Sequence, residues 1–106
     1  MTANMNIVKQ FDALCDEGKF DEAAEMLTDD FVFTHPKANM DKETWLKEFP
    51  ALHADPPVFE DFEEGPSENQ VVRKGKKKIM MMNFCMTETY DITEDGKIKS
   101  ITSAKA

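Results

Sequence analysis

Two side chains stand out for what they could do to a proton. His35 ends a run in which Phe31, Phe33 and His35 alternate with Val32 and Thr34, the period of a strand. Pro36 follows it, and the residue before a proline is held extended. A neutral imidazole titrates near pH 6.5, so it can serve as a base at physiological pH without help. Glu88 lies on a longer strand-like run. Counting by twos puts Met80, Met82, Phe84, Met86, Glu88 and Tyr90 on one side and Met81, Asn83, Cys85, Thr87 and Thr89 on the other. The first side is mostly apolar and is expected to face a cavity, where desolvation penalises a carboxylate. His35 and Glu88 are the candidate catalytic pair, close enough to interact directly or through one water. An ionised Glu88 would then favour the imidazolium of His35. Each also has a plainer role: a hydrogen-bonded structural histidine near a cavity mouth, and a glutamate beyond the core edge or tied to His35 or Tyr90.

Other reactive side chains carry less. The methionines 80, 81, 82 and 86 suit a soft, adaptable pocket lining, and equally an ordinary core. Copper binding through thioethers is disfavoured because Met81 should point away from Met80 and Met82. Cys15 and Cys85 have no second cysteine at metal-ligand spacing and are expected to be buried free thiols. With two histidines and no His/Cys cluster, neither a structural zinc nor another cofactor is expected. His53 is expected on a Pro-rich surface loop. The basic run Arg73-Lys74-Gly75-Lys76-Lys77-Lys78 suggests a solvated hairpin turn.

The elements that must position these groups follow from periodicity. Ile7, Val8, Phe11, Leu14 and Cys15 form one face of an amphipathic helix, which Gly18 can end in a left-handed conformation. Phe20, Ala23, Ala24 and Leu27 mark a second, short helix, with Asp21 and Glu22 near its positive end. Thr28-Asp29-Asp30 break the pattern before the strand that ends at His35. Asp41 is a good N-cap for a third helix bearing Trp45, Leu46 and Phe49, which Pro50 should stop or kink. Downstream, residues 58–62, 70–73, 78–92 and 97–104 are strand-like. Asp95-Gly96 between the last two is a strong hairpin marker. The expected fold class is α+β: a cone-like, curved antiparallel sheet wrapped over three helices, in the order α-α-β-α-β-β-β-β. The space between such a sheet and its helices is a default ligand site. Phe11, Phe33, Trp45, Met82, Phe84, Met86 and Tyr90 are expected to line it, and Phe11, Leu14, Phe31, Trp45 and Phe84 to share one core.

A chain of 106 residues suits one domain spanning residues 1–106. Its 41% hydrophobic and 32% charged residues are those of a globular protein. No apolar run approaches the ~20 residues that cross a bilayer, and the start is not a secretory signal, so a cytoplasmic location without a membrane partner is expected. The net charge of -8 argues against general nucleic-acid binding.

The stretch QFDALCDEGKFDEAAEMLTDDFVFTHP and the end TETYDITEDGKIKSIT resemble the opening helices and the last hairpin of nuclear-transport-factor-2-like (SnoaL-like) proteins. That family includes ketosteroid isomerases, polyketide cyclases, dehydratases, epoxide hydrolases and binding domains without catalysis, so the fold alone cannot choose an activity. Along the isomerase pattern, the resemblance puts Phe11 where the oxyanion tyrosine stands and His35 where the proton-moving aspartate stands. Glu88 takes the place of the aspartic acid that donates a hydrogen bond. The first two changes make steroid isomerisation by that scheme an unsuitable expectation. The resemblance also implies a homodimer through the outer sheet face, which its semi-polar residues permit. Three functions remain: binding of a small apolar molecule with His/Glu acid–base chemistry of isomerase, cyclase or dehydratase kind; a dimerisation or adaptor domain whose cavity is filled; or an enzyme of cyclase, dehydratase or hydrolase kind acting on an unrecognised substrate.

Overall fold

The first helix ends where its glycine allows it to. A computed structural model describes residues 2–36, 38–54 and 57–105 of the chain. Helix α1 (Thr2–Asp16) buries Val8, Phe11 and Cys15 at the i, i+3, i+7 spacing of one face. Gly18 takes φ 77°, its N–H donates to the Cys15 carbonyl at 3.1 Å, and the Lys19 N–H donates to the Leu14 carbonyl at 2.8 Å. That pair of bonds is a Schellman cap, which satisfies carbonyls the helix leaves open. The chain turns at once into the short α2 (Phe20–Ala24).

Strand β1 (Leu27–His35) starts earlier than the hydrophobic alternation indicates. Thr28-Asp29-Asp30 belong to it, and the extra length is taken up by a register shift between Leu27 and Val32 against the last strand. A short β2 (Ala38–Asp41) pairs back antiparallel onto β1; its four residues carry no alternation that would mark a strand. Asp41 then caps α3 (Lys42–His53), its carboxylate accepting the Thr44 N–H at 2.8 Å. Pro50 does not stop this helix, which runs three residues further. Only the bond that residue 50 would donate to the Leu46 carbonyl is forgone.

The second half is sheet. Strands β3 (Val58–Phe59) and β4 (Glu63–Glu64) are two short pieces rather than one, and both pair with β5 (Gln70–Ile79). The expected turn over residues 73–78 is therefore strand. The reversal lies at Met80 and Met81, with φ 49° and 70°, between β5 and β6 (Met82–Ile92). A two-residue turn with both central residues at positive φ normally takes Asn or Gly, so methionines there hide it from view. The β6–β7 hairpin turns at Gly96, φ 86°, into β7 (Ile98–Lys105), within a residue of the expectation.

The sheet order is β2-β1-β7-β6-β5-β3, antiparallel except for the parallel β1–β7 pair. The architecture is α+β, with helices on one face of a mostly antiparallel sheet. Between them lies a core of Val8, Phe11, Leu27, Phe31, Trp45, Tyr90 and Ile98. Trp45 is its centre, stacked on Phe49 at 4.9 Å and packed against Phe11 at 5.6 Å and Phe31 at 6.2 Å. Leu14 packs against this core from a half-buried position. Phe84, expected in the core, is only half-buried near the far end of β6, with the Lys105 ammonium 6.0 Å from its ring. None of the helices among the described residues is long and apolar enough to cross a membrane.

Candidate functional site

The inner face of the sheet carries a charge cluster built by strand register. Arg73 on β5 pairs with Glu88 on β6, and Glu88 with Ser103 on β7. All three side chains therefore share the face that looks toward the helices, and all three are buried. Arg73 Nε donates to Glu88 Oε1 at 2.8 Å, and the Tyr90 hydroxyl donates to the same oxygen at 2.8 Å. Arg73 Nη1 meets Asp12 Oδ1 of α1 at 3.1 Å. The guanidinium carbon also lies 3.6 Å from the centre of the Phe59 ring and 4.7 Å from that of Phe62, a cation on aromatic faces. Gly75 makes that possible: a Cβ there would come within 2.6 Å of the Phe59 ring.

Burial and charge set the protonation of this cluster. Burial pushes the Asp12 carboxyl above its ordinary 3.8, and Arg73 pulls it back only in part. Burial holds Tyr90 well above its ordinary value, with the charge of Glu88 adding to the effect, so it stays a phenol and a donor. Burial works against the charge of Arg73, but the surrounding anions outweigh it and raise its pKa. Glu88 thus accepts two hydrogen bonds at one oxygen, the arrangement of an acceptor.

Arg73 and Glu88 also form the floor of a cavity of about 130 Å³. Phe33, Phe49 and Phe59 supply its aromatic wall, and Leu52 and Met86 its aliphatic part. His35, His53 and Lys77 line it with polar groups. His35, half-buried at the end of β1, stacks on Phe33 with centroids 6.1 Å apart. The fold thus brings His35 and Glu88, far apart in the sequence, to the lining of one cavity. His53 is not on a loop. It closes α3, stacks on Phe49 at 5.4 Å, and its Nε2 lies 2.8 Å from Asp16 Oδ1.

The expected ligand-lining residues divide. Phe33 and Met86 line the cavity. Phe11 and Trp45 lie behind the wall in the core, and Tyr90 is buried beneath the floor, serving Glu88. Phe84 stands outside it, and Met82 is 63% exposed near the hairpin tip. Met80 and Met81 are likewise out in solvent. Of the two thiols, Cys15 is buried but Cys85 is exposed. Burial pushes the Cys15 thiol up to about 12, with Asp12 and Asp16 adding to it. Among the described residues, no group of three or more His, Cys, Asp and Glu side chains is arranged to hold a metal ion.

Sequence reasoning overlooked Arg73 and Asp12, the first hidden in a lysine run. One marker was available: Arg73 is the sole arginine in a chain with twelve lysines, and arginine is preferred where a buried cation must serve two carboxylates.

Known structures share this architecture at low sequence identity. A nuclear-transport-factor-2-like (NTF2-like) protein of unknown function from Cytophaga hutchinsonii is 16% identical, with 97% of this chain and 89% of that one covered at a TM-score of 0.77. A steroid delta-isomerase from Pseudomonas aeruginosa is 11% identical, with 100% and 81% covered at 0.80. A putative polyketide cyclase from Xanthomonas campestris is 10% identical, with 96% and 89% covered at 0.69. The chain therefore has the NTF2-like (SnoaL-like) fold, which is found in isomerases and cyclases as well as in proteins of unknown function. No protein-family profile matches the chain, and no curated protein is similar to it in sequence.

Proposed function

We propose that the cone binds one small, largely apolar molecule against Phe33, Phe49, Phe59 and Met86, with His35 moving a proton and Glu88 acting as its fixed anionic partner. The observation that carries this is the convergence of His35 and Glu88 on one apolar-walled cavity. Arg73 and Tyr90 hold the Glu88 carboxylate, so it serves as a stationary charge near the substrate, and the proton-carrying role falls to the imidazole. Size limits the ligand. An engineered apolar cavity of about 150 Å³ admits benzene, so about 130 Å³ suits a single ring or a short branched chain. The isomerase and cyclase enzymes that share this fold make acid–base chemistry in such a cone a reasonable activity, of isomerase, cyclase or dehydratase kind.

The small volume also supports a second reading. Drug-sized ligand pockets run to roughly 300–1,000 Å³, and a cone this full suits a dimerisation or adaptor domain. In either case we propose a homodimer through the outer sheet face. Val32 is 42% exposed there, and Thr34, Thr87, Thr89 and Thr102 are half-buried around it, a mixed surface compatible with an interface.

The acid–base reading is tested by NMR titration of the His35 ring in the wild type and in Glu88→Gln. A titration midpoint that falls in the variant supports it, because an anion on the same wall favours the imidazolium. Superimposable curves would remove Glu88 as the partner of His35.

A further inference from the structure

The β5–β6 hairpin ends in a feature the fold itself does not use. Ile79, Met80, Met81 and Met82 are 46%, 92%, 88% and 63% exposed, and Val58 on the neighbouring β3 is 78% exposed. Met80 and Met81 hold positive φ, where a side chain with a Cβ is disfavoured and Asn or Gly is usual. Folding thus places two apolar side chains in strained positions and gains almost no burial from them. The charge beside them is equally uneven. The chain has 21 acidic residues and a net charge of -8, yet residues 74–87 contain four lysines and no acidic residue. Lys74, Lys76 and Lys78 alternate on the outer face of β5 and are exposed. Glu60 borders the patch beside Lys76 and Lys78.

We propose that this hairpin tip docks the protein peripherally onto an anionic lipid bilayer. Met80, Met81 and Met82 enter the boundary between headgroups and acyl chains, and Lys76 and Lys78 face the lipid phosphates. The shape argues for a fluid partner: a two-residue tip is a protrusion that inserts, whereas a protein partner would need a matching pocket. Methionine is unbranched and adapts to a disordered apolar phase. Lysine stems can lie along that phase while their ammonium groups stay in water. Exposed apolar residues bordered by like charges mark an interaction surface, and lysines near a negatively charged leaflet strengthen binding additively. Nucleic acid is the weaker partner for the same charge, since the patch offers no exposed aromatic ring on which a base could stack. The cavity lies on the inner face, so the docking is independent of what the cone binds.

Vesicle co-sedimentation decides the matter. The wild type should partition onto phosphatidylcholine vesicles containing phosphatidylserine at least roughly tenfold better than onto phosphatidylcholine alone, and salt should weaken this preference. Met80→Asn combined with Met81→Gly supplies the residues this turn prefers, so the hairpin is kept and its melting temperature should rise. The same variant should lose the vesicle binding. Lys76→Gln with Lys78→Gln should cut it roughly tenfold. No binding by the wild type at low salt, or binding that survives the Asn-Gly change, would overturn the proposal. Loss of dimer rather than of lipid binding in the Asn-Gly variant would also overturn it, assigning the tip to a second copy of the chain.

Discussion

Replacing Arg73 with methionine should destabilise the domain more than any other cavity-lining substitution. The Arg73 side chain is 8% exposed and faces those of Glu88, 11% exposed, and Asp12, 25% exposed. Methionine fills similar space but leaves two carboxylates desolvated, unpaired and repelling each other. Breaking a buried ion pair by removing one partner costs about 3–5 kcal/mol, and loss of the contact with the Phe59 ring adds to it. Against a total stability of about 5–15 kcal/mol for a small domain, that is a large share. In urea, where the slope is about 1–3 kcal/mol per molar, the midpoint should fall by at least about 1 M. The deficit should also depend on pH in a definite direction. Asp12 already titrates above 3.8 when folded, so between 3.8 and that raised value the native state holds more protons than the unfolded chain. Its contribution to stability therefore falls as pH rises through this window. Removing Arg73 takes away the opposing charge and raises the folded pKa further. The variant should accordingly approach wild-type stability as the pH is lowered from 7 toward 4. Asp12→Asn with Glu88→Gln in the same background should recover much of the loss, and Arg73→Lys should not, because lysine lacks the planar fork and the stacking face. A loss below about 1 kcal/mol at pH 7, or one that does not change with pH, would refute the electrostatic account of this cluster.

Three further outcomes follow from particular contacts. Gly75→Ala drives a methyl group into Phe59 and should cost about 1–3 kcal/mol by overpacking, measured by denaturant titration; the neutral result would mean that Phe59 does not cover Arg73. A thiol reagent should titrate Cys85 readily in the native protein and Cys15 only after unfolding, since burial pushes the Cys15 thiol up to about 12; two fast thiols would contradict this packing. Sedimentation should find a dimer at high micromolar concentration that Val32→Lys weakens, and a monomeric wild type would remove the outer-face interface.

How much of this was legible follows from which physical rule each element obeys. The face of α1 and the Gly18 stop came from helical periodicity and from the freedom of glycine at positive φ. Asp41 announced α3, and Asp95-Gly96 announced the last hairpin. The alternation through Met86, Glu88 and Tyr90 placed those side chains on the inner face, as observed. Extending the same alternation outward failed at Met80 because the strand reverses there at a turn without glycine or asparagine, and at Met82 because the strand end beside that turn is exposed. Arg73 was misplaced for a related reason. A run of five basic residues in six suggests solvent, and only the pairing of Arg73 with Glu88 shows that the arginine points inward. Pro50 was given too much weight, since a proline late in a helix forgoes one hydrogen bond that neighbouring packing can offset. Asp12, on the flank of the apolar face of α1, could not be distinguished from a solvated carboxylate until its partner across the cone was known.

The central claim, that the cone admits a single-ring-sized molecule beside His35 and Glu88, is tested most directly by NMR. The Met86 methyl and His35 ring resonances are followed while small aromatic and branched aliphatic compounds are added to the wild type and to Met86→Trp, which plugs the cavity. The account predicts saturable shifts of both resonances in the wild type for at least one single-ring compound. It predicts no His35 shift in the plugged protein. Shifts that never saturate, or that persist at His35 when the cavity is plugged, would contradict it and leave the filled-cone adaptor as the function of this domain.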